Sequence, residues 1–322
     1  MSDRLSRRQV LKRIAVTGAV IGGAACIAKW RYDPGGSGLD QRSSERQVRD
    51  FTVAPDSGPQ LAIAKSSRDP AELVRRAIDA LGGMGRFVAR GDVVAVKPNI
   101  GWDRLPVNAA NTNPLVVAEV VRLAFEAGAK KVVVSDVSCN EANRSFQRSG
   151  IWRACHELGA TVVLPAEHWF RQMRVRGDAI DQWPIYTPLI DADKVINVPV
   201  AKHHSMARYT GAMKGWYGIL GGQRNRLHQN LDVSIADLAT FLRPTLTVVD
   251  ATRVLLRNGP QGGNVDDTRE MHQVIASLDQ VAADAYGATL IGEKAENLKY
   301  LALAHERGVG NQDWKAVPHV EI

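Results

Sequence analysis

The chain has 322 residues, 45% of them hydrophobic and 23% charged, with a formal net charge of +7. Residues 1–28 carry five basic residues and one acid, which leaves 36 basic and 33 acidic residues and a net of +3 for the rest. That balance gives no ground for nucleic acid or a membrane surface as the partner. The length suits one large α/β domain or two modest ones.

The chain opens with Ser6-Arg7-Arg8-Gln9-Val10-Leu11-Lys12 and an apolar run from Ile14 to Ala28. Paired arginines ahead of a mild Gly/Ala-rich core read as a twin-arginine export signal, which directs a folded protein to the periplasm through its translocase. The run is shorter than the roughly 20 apolar residues of a spanning helix. No clean small-x-small cleavage site follows, so retention as an uncleaved anchor stays open. Residues 29–58 are polar, rich in Gly, Pro and Ser, and without periodicity, as expected of a linker. A single large α/β domain is expected over 59–322, with a division into two lobes left open.

From Gln60 onward, strand and helix signals alternate. Leu61–Ala64 is a short apolar strand, and Asp69-Pro70-Ala71-Glu72 opens a helix stopped by Gly82-Gly83. Val93–Val96 reads as a buried strand, Asn113-Pro114 caps a helix over Leu115–Glu126, and Lys131–Val134 is the next strand. A helix over Ile151–Leu158 and strands at Thr161–Leu164, Val195–Val198 and Leu246–Val249 follow. Helices are expected around Ile235–Leu242, Asp279–Leu290 and Ala295–His305. The strands are uniformly apolar and not alternating, which predicts an α/β fold with a mostly parallel sheet covered by helices on both faces.

Cys26 lies within the signal. Cys139 and Cys155 could pair in an oxidising compartment. Cys155 shares i, i+4, i+7 spacing with Ile151 and Leu158, however, which fits a buried structural thiol. No Cys-x-x-Cys is present, so no iron–sulfur cluster held by this chain alone is expected.

Ligands of open α/β sheets bind beyond the carboxyl ends of the strands. The residues following the expected strands are Lys97-Pro98-Asn99, Ser135-Asp136, Lys202-His203-His204 and Asp250-Ala251-Thr252. In an extended segment His203 and His204 point opposite ways, so one of them faces a given pocket. Gly211, Gly215 and Gly218 recur at i, i+4, i+7 around Lys214, one helix face stripped of side chains. Each glycine weakens a helix interior by roughly 1 kcal/mol, which calls for close backbone packing or a ligand against that face. Asn258-Gly259-Pro260-Gln261-Gly262-Gly263 is a turn that could offer N–H groups to an anion. The expected catalytic residues are therefore Lys97, His204, Lys214 and Asp250, with Asn99, Lys202, Gly211, Gly215 and Gly259 binding a cofactor. Asp136, His204 and His228 are the candidate metal ligands.

These blocks, in order, resemble the domain-of-unknown-function family 362: Lys97-Pro98-Asn99, Thr112-Asn113-Pro114, Asp136, Lys202-x-His204, Thr210-Gly211-Ala212-Met213-Lys214, Asp250-Ala251, Gly259-Pro260 and Asp279-x-Val281-Ala282-x-Asp284. The resemblance implies an α/β domain, frequently joined to a cluster-binding ferredoxin module, and supplies no agreed reaction. The ferredoxin cysteines are absent here, and Gly215 stands where an asparagine usually follows the lysine. The order and approximate spacing of His204, Lys214 and His228 are also similar to the lactate racemase family. There a lysine carries a nickel-pincer nucleotide, and histidines serve as metal ligand and acid/base.

The expected function is an exported enzyme that binds a small anionic molecule or cofactor at a Lys/His/Asp site. Three alternatives remain open at this level. One is a non-catalytic periplasmic cofactor carrier or maturation partner. Another is a racemase- or epimerase-like enzyme with a lysine-bound metal cofactor. The third is a redox companion of an iron–sulfur subunit, with that partner protein holding the cluster.

Overall fold

The structure, a computed structural model, describes residues 48–322. The export signal, Cys26 and most of the linker lie outside the described residues. Strand β1 (Leu61–Ala64) leads into helix α1 (Pro70–Ala80), which begins where the Asp69 carboxylate accepts from the Ala71 N–H and Pro70 fills the first turn. Next come β2 (Val93–Pro98), α2 (Pro114–Glu126) and β3 (Lys131–Val134). They are followed by α3 (Ala142–Arg148), α4 (Ile151–His156) and the short β4 (Thr161–Val162). A hairpin of β5 (Phe170–Arg174) and β6 (Gln182–Tyr186) then precedes the one-turn helix α5 (Thr187–Ile190).

The second half opens with β7 (Lys194–Val198), β8 (Val200–His204), β9 (Arg208–Thr210) and the one-turn helix α6 (Ala212–Gly215). It closes with α7 (Leu231–Phe241), β10 (Leu246–Leu255), β11 (Thr268–Ser277), α8 (Gln280–Thr289), α9 (Lys299–Glu306) and β12 (His319–Glu321).

Ten strands form one sheet in the order β12-β1-β11-β10-β7-β2-β3-β4, with β8 added beside β10 and β9 beside β8. Strands β10, β7, β2, β3 and β4 run parallel, and β11 is antiparallel to both β1 and β10. Alternation along each strand feeds two cores. Val94 and Val96 of β2 pack with α1 and α2, whereas Ala95 faces the core of α7, α8 and α9. Helices therefore cover both faces, the arrangement expected from strands that are apolar throughout.

Two departures matter for the site. The strand expected to stop at Val249 continues to Leu255, with its register shifting between Ala251 and Arg253. The glycine-spaced segment is no continuous helix: α6 is one turn, followed by a 3₁₀ turn over Trp216–Ile219. The buried Asp284 of α8 starts α6 by accepting from the Ala212 and Met213 N–H groups at 2.6 and 2.9 Å. An alanine Cβ at Gly211 would run into that carboxylate and the Tyr209 ring. Cys139 and Cys155 are both free thiols, the first exposed and the second buried. Among the described residues no helix is long and apolar enough to cross a membrane.

Candidate functional site

The site is built at the carboxyl ends of β2, β3 and β8. Lys97, next to last in β2, points to the same face as Ala95 and is fully buried. Its ammonium lies 2.8 Å from Asp136 Oδ1, just beyond β3, while Asp136 Oδ2 accepts from the Ile100 N–H at 2.7 Å. Trp216 lies over the lysine, and Gly218 closes against the pair. A Cβ at Gly218 would sit 2.7 Å from Lys97 Nζ and collide with Asp136 Oδ1. Asn99, two residues on from Lys97, is fixed through its backbone N–H, which donates to Thr112 Oγ1 at 2.8 Å. That hydroxyl in turn donates to the Val198 carbonyl and ties the ends of β2 and β7 together.

Strand β8 presents Lys202 and His204 on one face and His203 on the other. Lys202 Nζ donates to Asn99 Oδ1 at 3.1 Å and to the Ala110 carbonyl at 2.5 Å. Lys214, on α6, is only 7% exposed, and its ammonium makes no hydrogen bond or ion pair among the described residues. Its ammonium instead sits 3.3 Å from the centre of the Tyr217 ring. Burial pulls both lysines down from the usual 10.5 to about 7; the charge of Lys97 adds to this at Lys202, and the charges of Arg224 and Lys202 add to it at Lys214. Both amines therefore hold their protons less tightly than an exposed lysine does.

The two histidines are held in opposite tautomers. His204 Nδ1 accepts from the Met206 and Ala207 N–H groups at 3.1 and 3.2 Å, so in the neutral ring Nε2 carries the proton. Burial, then the positive charge of Lys214 and Lys202, pushes its pKa down to about 3 and keeps the ring neutral. His228 Nδ1 is 3.1 Å from the Asn225 carbonyl, which can only accept, so its Nε2 is left with a lone pair. Burial and Lys214 lower its pKa as well. The rings are nearly parallel, with centres 6.3 Å apart. One offers a proton and the other can take one.

These groups line a cavity of about 770 Å³ together with Trp102, Phe170, Cys139 and Arg224. Arg224 is clamped by the Val137, Tyr217 and Ser138 carbonyls at 2.8, 3.0 and 2.8 Å. Lysines, arginine and histidines outnumber the acids at its walls, where Asp136 is already committed to Lys97.

Residues 94–289 match the family model described as Domain of unknown function (DUF362). The chain belongs to this family. It is 30% identical over 223 residues, 66% of its own length and 66% of the relative's, to a thylakoid-associated protein of Synechocystis sp.. The fold is similar to the lactate racemase apoprotein of Thermoanaerobacterium thermosaccharolyticum, with 13% identity and a TM-score of 0.41 over 74% of this chain and 58% of that one. A protein of Thermotoga maritima is similar at 12% identity and a TM-score of 0.39, over 75% of this chain and 60% of that one. Likenesses this distant have no bearing on the chemistry.

The DUF362 blocks divide between the cavity and its supports. Asn99, Asp136, Lys202, His204, Lys214, Gly215 and His228 line the cavity, and Lys97 lies beneath it as the partner of Asp136. Asp250 does not join them. Because β10 continues past Val249, Asp250 is a mid-strand residue facing α2: Oδ2 accepts from the Asn113 N–H, and Oδ1 from the N–H and hydroxyl of Thr252. It lines a separate depression with Arg68 and His272. Gly211 serves the Asp284 cap, and Gly259 packs on the His203 carbonyl while its N–H donates to His203 Nδ1. Neither lines the cavity, although Pro260 does.

Among the described residues, no three His, Cys, Asp or Glu side chains gather to hold a metal. Asp136 is taken by Lys97 and Ile100, and His204 would have to lose its Nε2 proton to ligate. Sequence reasoning misses Cys139 and Arg224 as site residues: the first reads as a disulfide candidate, and the second follows none of the expected strands.

The three glycines separate into packing and open positions. Gly218→Ala should destabilise the fold by about 3 kcal/mol or more, because the buried ion pair must shift. Gly215→Ala, whose Cβ meets nothing closer than 3.9 Å, should be neutral or stabilising by up to about 1 kcal/mol. Urea unfolding of the two variants distinguishes them; equal losses would contradict this division.

Proposed function

We propose that this protein is an exported enzyme that binds a small organic carboxylate in the cavity and moves a proton at the carbon beside it. The observation that carries the reading is Lys214 with Lys202: two buried amines near neutrality in one cavity, neither paired with a carboxylate among the described residues. A buried cation without a counter-ion is unfavourable until an anion supplies one. In this reading Lys202 and Lys214 neutralise the carboxylate and the enolate that develops from it. His228 Nε2 takes the proton from carbon, and His204 Nε2–H donates to the developing oxyanion. On the return step the proton comes back from His228. Positioned acid–base catalysis of this kind contributes roughly 10²- to 10⁴-fold.

Binding should follow the lysines. An anion raises their pKa, so association takes up protons above pH 7. Affinity for 2-hydroxy or 2-oxo acids should be flat below about pH 6 and fall by up to about tenfold per pH unit, for each lysine that must be charged, above about pH 7. Incubation in D₂O should place deuterium at the α-carbon, and His228→Gln should abolish that exchange while binding persists. Binding with no exchange would make the protein a carrier; no binding, or none lost in Lys214→Met, would defeat the reading.

Export rests on the Arg7-Arg8 pair, which lies outside the described residues. The thylakoid association named for its relative is support for a compartment beyond the cytosol. Replacing both arginines with lysine should hold the protein in the cytoplasm, as fractionation would show; unchanged export would remove this part of the proposal.

A second reading is favoured by volume. About 770 Å³ is far more than a small acid fills and lies within the range of drug- and cofactor-sized sites. A lysine-bound cofactor fits the free amine of Lys214, with His228 Nε2 as the ring nitrogen free to ligate a metal on it. Such a group would bring a metal that the side chains of the described residues do not assemble by themselves. Protein purified from its native host should then carry extra mass on the peptide containing Lys214, together with bound metal. Unmodified mass would set this second reading aside.

A further inference from the structure

We propose that Cys139 is a covalent-modification site of this cavity, selective for small electrophiles that carry a carboxylate. The inference rests on the anion-binding reading of the cavity and adds a nucleophile to it. Cys139 is an exposed free thiol on the cavity wall, in the loop that follows Asp136. Its backbone is pinned, since its N–H donates to the Gly101 carbonyl at 2.9 Å. Arg224 donates to the sulfur across 3.4 Å, and the three carbonyls that clamp the guanidinium keep it there. A thiol beside a fixed cation in a partly open site is the arrangement of a reactive cysteine.

Lys214 supplies the independent observation. It is a nine-tenths-buried cation in the same cavity with no ion-pair partner among the described residues, so an anion entering the cavity is drawn toward it. Of the charges around Lys202 and Lys214, Cys139 does the most to restore their protonation, which places the thiol within their field. Cys155 is the built-in contrast: it is buried in the core, and desolvation pushes its thiol up to about 12.

With an unsaturated carboxylate as the electrophile, the sulfur bonds to the β-carbon and the π pair moves to the α-carbon, which takes a proton from solvent. With the probe iodoacetate, the sulfur bonds to the methylene carbon, the carbon–iodine pair leaves as iodide, and the thiol proton goes to solvent. Iodoacetamide has the same leaving group without the charge.

The test is the rate of Cys139 modification in the folded protein at pH 7, followed by peptide mass with each reagent. An ordinary thiolate repels iodoacetate, so the neutral reagent is the faster one. Here iodoacetate should be faster by about tenfold or more, through electrostatic steering. Cys155 should stay unmodified, and Lys214→Met should erase the preference. Lys214→Met removes an amine whose burial without a carboxylate partner is itself unfavourable. A preference for iodoacetamide in the wild-type protein would overturn the inference, as would an iodoacetate preference that survives Lys214→Met. Carboxylate titration of Cys139→Ser, which needs no thiol, separates the two failures. Intact binding leaves the cavity reading standing without the nucleophile, and lost binding removes the cavity reading itself.

Discussion

The organisation of this protein depends on keeping two lysine amines out of water without giving either a carboxylate. Moving Lys202 and Lys214 from about 10.5 to about 7 means that the folded state gives up protons that the unfolded chain would keep. Through linkage this costs several kcal/mol at neutral pH. A core of large apolar side chains on both sheet faces offsets that cost. Because the unfolded chain binds more protons between about pH 7 and 10.5, the stability deficit from these two residues shrinks as pH rises through that window.

The positive charge is also graded by its partners. Lys97 is fully buried and has a dedicated partner in Asp136, so it acts as a brace between β2 and the loop after β3. Lys202 is satisfied by an amide oxygen and a carbonyl, neutral acceptors that leave its charge uncompensated. Lys214 has only the face of Tyr217. The series runs from structural ion pair to unpartnered amine across a single sheet end. Gly218 closes directly over the first member, since any side chain there would displace the Lys97–Asp136 pair below.

Much of the architecture was legible because the central strands are short, apolar and bounded by glycine, proline and capping residues. The caps at Asp69 and Asn113 fall where the sequence places them. Strands β8, β9 and β11 were not legible: β8 ends in Lys202-His203-His204, a polar run that reads as a loop, because its polar side chains face a cavity that exists only in the fold. The same limit misplaced Asp250. Hydrophobicity stops at Val249, but the backbone pairing does not, so a residue taken as lying beyond a strand is inside one and on the opposite face. The hairpin of β5 and β6, which brings Phe170 to the cavity, was missed for a similar reason, since only a few of its positions are buried.

Strand β8 has a consequence for how relatives of this chain can diverge. Lys202 and His204 share one face only because one residue separates them, and β8 is held in register by β10 on one side and β9 on the other. Inserting or deleting one residue between Val200 and His204 would turn His203 toward the cavity and the other two away. Surface loops elsewhere can lengthen at small entropic cost. In this five-residue strand, length itself decides which side chains line the cavity.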